Sequence, residues 1–237
     1  MHLKFIGRGS AFNTLEGNNN AFYLNDKGQM LLIDCGETTF TRLKEKGILN
    51  EVKELFVAIT HTHSDHVGSL SSLILYLFFV LNIRANLVLT GDETYNRTLK
   101  DLIKIMGVSD DNINFITTNE FINKMEEFKS FEFLESAHVD NFKTFGIVYT
   151  ADNGITYYSS DTNSTECLEN YLNNKDLDKI YIDISIREQE GNSHLSFDTL
   201  LEVVPKEKRN KVYTMHFDSD ELIQKAIGAG FKVVDKI

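Results

Sequence analysis

The chain has 237 residues, with 24 Lys and Arg against 35 Asp and Glu for a formal charge of −11, two cysteines, one proline and no tryptophan. Its 42% hydrophobic and 25% charged content is that of a folded globular protein rather than a disordered one, and the acidic excess argues against gripping long nucleic acid, which requires cations against phosphates. Cys35 and Cys167 stand far apart with no CxxC, which excludes a disulfide framework or a cysteine zinc site and fits a reducing, cytoplasmic setting.

No repeat or linker divides the chain, so 1–237 reads as one domain. Residues 1–10 read as a short strand broken by glycines, not as a secretion signal. Strands are expected at 3–6, 21–24 and 30–33, punctuated by Gly7, Gly9, Gly17 and Gly28. A βαβα alternation follows: strand 55–59, helix 67–81, strand 87–89, helix 94–106. The second half repeats the grammar with strands 128–134, 142–149 and 156–159, helix 164–172, strand 180–184, helix 197–203, strand 212–214, helix 219–229 and strand 231–234. Two similar halves, each of hairpins and then βα units, predict an α/β protein with two sheets face to face and helices outside.

Three stretches carry further expectations. The longest apolar run, 70–83, contains serines and Asn82 and is too short to span a bilayer, so no membrane partner is expected. In helix 67–81, Leu70, Leu73, Ile74, Leu77 and Leu81 form one stripe, while Leu75, Tyr76, Phe79 and Val80 cover the other side. A helix apolar all round is covered on both faces, here by a second copy in a homodimer. The basic run 206–211 reads as a solvated turn before a strand, because no aromatic interleaves with it.

The histidines carry the chemistry. His61, His63, Asp65 and His66 lie in THTHSDHVG, between an apolar strand and a helix, at the sheet end where α/β sites are built. Residues i and i+2 of an extended segment point alike, so His61 and His63 can grip one ion while Asp65 and His66 face a second. Three imidazoles and a carboxylate this close together are poor packing material. His138, Asp161 and His216 each follow an apolar run, and five histidines with two aspartates suffice for two sites for Zn²⁺ or Mn²⁺. Asp161 is the candidate carboxylate to bridge them.

HTHSDH followed by His138, Asp161 and His216 resembles the metallo-β-lactamase-fold hydrolases over nearly the whole chain. The resemblance implies a four-layer αββα sandwich and two Zn²⁺ per chain. His61, His63 and His138 would hold one ion; Asp65, His66 and His216 would hold the other, with Asp161 between them. The opening FIGRGSAFN and the segment IDCGE are similar to the RNase Z branch, although Thr38 replaces a glycine of that branch's pattern. His194, 22 residues before His216, stands where that branch carries a proposed proton donor; it and Asp65 form the expected catalytic pair.

The departure from RNase Z narrows the reading further. Only 22 residues lie between His138 and Asp161, filled by a hairpin turning at Asp152-Asn153-Gly154, so the long tRNA-clamping arm is missing. A phosphodiesterase centre without a polymer grip resembles the compact phage anti-Pycsar phosphodiesterases. The expected substrate is then a small cyclic mononucleotide, cCMP or cUMP with cAMP and cGMP as further candidates, cleaved to the 5′-monophosphate in the host cytoplasm if the chain is phage-encoded. The alternatives are a lactone or thioester hydrolase of the same fold, or an RNase Z-like nuclease. Phe12, Tyr76, Phe142 and Tyr149 stand as equal candidates for stacking on a base.

Overall fold

A computed structural model describes residues 1–187 and 191–237. In the first sheet β1 (Lys4–Phe5), β2 (Ala21–Leu24), β3 (Gln29–Ile33), β4 (Glu54–Ala58), β5 (Ala85–Val88) and β6 (Ile113–Ile116) lie side by side in chain order. The β1–β2 and β2–β3 pairings are antiparallel; the three that follow are parallel. The second sheet holds β7 (Ser130–Ser136), β8 (Thr144–Ala151), β9 (Gly154–Tyr158), β10 (Leu177–Asp183), β11 (Val212–Met215) and β12 (Lys232–Val233). It repeats the same succession, two antiparallel pairings and then three parallel.

Side-chain alternation along the strands makes the layers, because successive residues of a strand face opposite sides of its sheet. Met30 and Leu32 of β3, with Leu55 and Val57 of β4, pack outward against α1 (Thr39–Glu45), α3 (Leu70–Val80) and α4 (Glu93–Ile105). Leu31, Ile33, Phe56 and Ala58 face the other way, into the space between the sheets. From the second sheet Tyr149, Tyr158 and Tyr181 enter that same space. Ile180 and Ile182 pack outward on α6 (Glu166–Leu172), α7 (Phe197–Val203) and α8 (Glu221–Gly228). The result is the expected αββα sandwich.

Several expectations need correction. The helix expected at 67–81 breaks into α2 (Ser64–Val67) and α3, because Gly68 and Ser69 turn back onto the end of the first sheet: Ser69 N–H donates to Cys35 O at 3.0 Å. The break leaves α2 as one turn that presents Asp65 and His66. Among the described residues α1, a 3₁₀ turn at Ile48–Glu51, β6 and α5 (Thr118–Lys124) were not expected, although α5 carries a legible capping box of Thr117 and Glu120. β8 begins two residues later than predicted, since Phe142 leaves the strand to stack on His63, ring centroids 4.4 Å apart.

The basic run is the expected turn before a strand, with Lys206 and Lys211 exposed, but it is not solvated throughout. Residues Lys206–Lys211 form a 3₁₀ turn in which Arg209 is buried and donates to the carbonyls of Val204, Ala229 and Leu201. Lys208 and Lys211 bond Leu172 O and Leu177 O, so the run staples helix ends to the second sheet. The expected hairpin between His138 and Asp161 is present: β8 and β9 pair antiparallel down to Ala151 and Gly154.

α3 is covered in part by its own chain. Tyr76 packs against Phe40, ring centroids 5.4 Å apart, with the Lys44 ammonium 5.0 Å from its ring, whereas Phe79 stays 71% and Val80 62% exposed. Among the described residues no helix is long and apolar enough to cross a membrane.

Candidate metal centre

The loops at one end of both sheets open on a cavity of about 380 Å³. After β4 the chain runs extended through His61 and His63, and His63 then caps α2 with φ −65° and ψ 154°. That single stretch delivers His61, His63, Asp65 and His66. The second sheet supplies the rest one loop at a time: His138 after β7, Asp161 after β9, His216 after β11.

The side chains converge as two groups that share one member. Ligand atoms of His61, His63, His138 and Asp161 lie within 4.8 Å of one another, as do those of Asp65, His66, Asp161 and His216. Asp161 divides its oxygens between them. Oδ2 is 3.7 Å from Nε2 of both His61 and His138, while Oδ1 is 3.3 Å from His66 Nε2 and 3.4 Å from His216 Nε2. Asp65 Oδ2 is 3.3 Å from the same two nitrogens. All seven residues named from the sequence therefore meet here.

These donors fit divalent cations. His66 Nε2 and Asp161 Oδ1 are buried and have no hydrogen-bond partner among the described residues, although they lie 3.3 Å apart. An orphaned buried nitrogen and carboxylate oxygen would be costly unless something between them accepted both lone pairs. Imidazole and carboxylate suit Zn²⁺ and Mn²⁺ alike.

Outer partners fix the ring orientations, as metal-facing histidines require. Asp34 Oδ2 lies 2.8 Å from His66 Nδ1, and the same carboxylate accepts from Thr60 N–H and Thr60 Oγ1 at 2.7 and 2.8 Å. His138 Nδ1 donates to Ser193 O at 2.7 Å. Asp183 faces two rings: its Oδ2 hydrogen-bonds His194 Nδ1 at 2.7 Å, whereas Oδ1 lies 3.2 Å from His216 Nδ1 as an electrostatic contact without a hydrogen bond. Sequence reasoning assigned no role to Asp34 or Asp183. Each ends an apolar strand run, in LLID and IYID, and that was the available signal.

The backbone is held in a rarely populated conformation at the same places. Asp34, Ser160 and His216 have φ of 63°, 55° and 59°, a region that costs about 1–3 kcal/mol for a non-glycine residue and persists where surroundings over-determine it. Here each sits at a strand end, turning a side chain toward the cavity or toward a neighbour that faces it.

Electrostatics separates the rings. Burial, reinforced by His66, pushes His61 well below the ordinary histidine range; burial likewise lowers His63 and His138. Burial opposes charge on His66 and His216 too, but Asp161 and the other carboxylates around them outweigh it and hold both well above that range. Asp161 and Asp65 are correspondingly depressed: burial raises them, and the neighbouring histidines overcome it. His194, with its side chain 24% exposed, is raised by Asp183 against burial and stands with its ring 4.9 Å from His138 and 5.0 Å from His216. A raised, partly exposed imidazole thus stands beside two groups of donors that could each hold a cation.

Comparison with known proteins agrees with this construction. Residues 1–234 match the family described as Anti-Pycsar protein Apyc1. An Anti-Pycsar protein Apyc1 of Bacillus phage BSP38 is 29% identical over 231 residues, covering 91% of this chain and 88% of the relative. One of Saccharibacillus brassicae is 30% identical over 224 residues, covering 92% and 90%. Among solved structures, the metallo-β-lactamase fold protein YhfI of Bacillus subtilis superposes with a TM-score of 0.71 at 13% identity, covering 98% of this chain and 94% of that one.

Proposed function

This chain belongs to the Anti-Pycsar protein Apyc1 family, and from that premise we propose that it is a metal-dependent phosphodiesterase that opens cyclic mononucleotides to nucleoside 5′-monophosphates and so counters Pycsar defence. cCMP and cUMP are the foremost substrates, with cAMP and cGMP as further candidates. The observation that carries the reading is the division of Asp161 between two histidine groups with His194 poised beside them.

In this reading His61, His63, His138 and Asp161 hold one cation, and Asp65, His66, His216 and Asp161 hold the other; two Zn²⁺ fit, and Mn²⁺ would also suit. When bound, such a pair supplies a nucleophilic water near neutral pH and offsets phosphate charge. The protein does the rest. Without that offset an anionic phosphate would meet the bare carboxylates of Asp65 and Asp161, so the acidic cavity itself argues for cations. Asp183 holds Nδ1 of His194, which leaves Nε2 to carry a proton. The departing 3′ oxygen is a strong base, and His194 would protonate it, worth about 10²–10⁴-fold in rate. The short β8–β9 hairpin leaves a cavity suited to a mononucleotide. Phe79 and Val80 at the end of α3 offer apolar surface that a second copy would cover in a homodimer; a monomer by light scattering at micromolar concentration would remove that part.

The test is product analysis by HPLC after incubating metal-loaded protein with cCMP, cUMP, cAMP, cGMP, a short single-stranded RNA and a homoserine lactone, with EDTA controls. EDTA-sensitive formation of 5′-monophosphates with RNA spared is expected, together with loss of turnover but not of metal in His194→Ala. Intact nucleotides beside an opened lactone would transfer the protein to acyl chemistry.

A further inference from the structure

Among the described residues Phe12 packs on almost nothing. It is 94% exposed, yet it lines the same cavity as His63, Asp65 and His216. The other aromatic candidates are already engaged: Tyr149 is buried between the sheets, Tyr76 lies on Phe40, and Phe142 stacks on His63.

The turn that carries Phe12 is built to hold it out. Ser10 N–H donates to Phe217 O at 3.0 Å and Asn13 Nδ2 to the same carbonyl at 3.1 Å; Phe217 directly follows the metal-facing His216. Asn13 also bonds Asp220, and its backbone N–H donates to Ser10 O at 3.1 Å, closing the turn over Ala11 and Phe12. Behind it Arg8 pairs with Glu16 at 2.6 Å, and a Cβ on Gly9 would meet Asn13 O at 2.4 Å. Both ends are thus pinned to the strand-end loop that supplies His216, and a large apolar ring is presented to water at the mouth of the cavity. Val139, beside His138, is also exposed and lines the cavity too.

We propose that Phe12 is the base platform of this site: its ring stacks on the nucleobase while the phosphate lies at the histidine–carboxylate floor. The assignment rests on the phosphodiesterase reading and adds a recognition element to it. A phenyl face accepts any base, because every base has a π-face and stacking makes no demand on hydrogen-bond pattern. Discrimination among bases therefore falls to other groups of the cavity, and Phe12 separates nucleotides from base-free phosphodiesters.

The absence of tryptophan from the chain makes the test direct. Phe12→Trp introduces a single indole at the platform. Its fluorescence should be quenched saturably by cytidine 5′-monophosphate and not by ribose 5-phosphate. Phe12→Ala should raise KM for cCMP about tenfold or more, the order expected for one base–aromatic stack, with kcat little changed. The preference for cCMP over the base-free ribose 3′,5′-cyclic phosphate should then collapse, and Phe12→Trp should restore it. Equal losses on both substrates in Phe12→Ala, or a halved mass by light scattering, would overturn the assignment and place Phe12 in an interface between copies. Failure of nucleotide to quench the indole would overturn it as well. Quenching by nucleotide in a protein that turns over no cyclic nucleotide would instead sink the phosphodiesterase reading while leaving the platform standing.

Discussion

Residues 1–124 and 130–237 run through the same succession of strand pairings, two antiparallel and then three parallel, yet they furnish the cavity in opposite ways. The first half supplies its histidines and carboxylate from one loop: β4 ends, and His61, His63, Asp65 and His66 follow within a few residues. The second half delivers single side chains from four places, His138, Asp161, Asp183 and His216, each at or just past a strand end. Local chain geometry can place the first set, since an extended segment and one helical turn dictate where i, i+2 and i+5 point. Of the second set, Asp161, Asp183 and His216 meet because parallel neighbours β9, β10 and β11 end side by side, and His138 joins them from the end of β7, across the β7–β8–β9 antiparallel pairings. What differs is the scale over which position is decided.

That contrast can be tested by removing one member from each set. Asp161 is common to both groups of donors, so Asp161→Ala should abolish turnover and lower metal content toward zero per chain by elemental analysis. His63 belongs to one group only, and His63→Ala should leave close to one ion. A fully metallated, active Asp161→Ala would break the comparison at its centre.

The orienting carboxylates sharpen it at an intermediate level. Asp34 serves the first-half loop through His66, and Asp183 serves the second half through His194 and His216. Replacing an outer partner of a metal-facing histidine typically costs about 10–100-fold in affinity or activity. Asp34→Asn should spend that loss on metal affinity, measured by competition with a chelating dye. Asp183→Asn should spend it largely on kcat, because His194 loses the anion that holds its ring. Identical profiles for the two variants would deny the division of labour.

The smallest effect concerns pH. His66 and His216 are held above the ordinary histidine range by the carboxylates around them, Asp161 foremost, in spite of burial. A group whose folded pKa exceeds its unfolded value of about 6.5 stabilises fully below that value and loses the contribution as pH rises through the folded pKa. The melting temperature of chelator-treated protein should therefore fall as pH is raised from 6.5. Metal-loaded protein, in which cations displace those protons, should resist the fall, so the stabilisation by Zn²⁺ should grow with pH. Parallel melting curves with and without EDTA across that range would count against protonated rings in the metal-free state.

Much was legible in the sequence, and what was not has identifiable causes. The HTHSDH spacing marks a metal loop because no core would choose three imidazoles and a carboxylate so close together. The continuous apolar runs of β3 and β4 report strands covered on both faces, and the turn at Asp152-Asn153 reports the hairpin, since strand composition and turn chemistry act over a few residues. α3 misled in part: its apolar far side is covered at Tyr76 by Phe40 and Lys44 of the same chain, and only its end stays open. The run 206–211 is the turn its composition suggests, but the bonds of Lys208, Arg209 and Lys211 to carbonyls 20 or more residues away were not legible in it.

By itself, then, the sequence determined the layered α/β plan, the seven residues that converge at the cavity and the absence of an arm between His138 and Asp161. Tertiary structure alone decided that Asp161 divides its two oxygens between two groups, that Asp34 and Asp183 lock the rings, and that Phe12 rather than Tyr76, Phe142 or Tyr149 stands free at the cavity mouth. The reason is physical. Spacing and periodicity bind neighbours along the chain, whereas the distance between atoms a hundred residues apart is set by how two sheets close over a shared core.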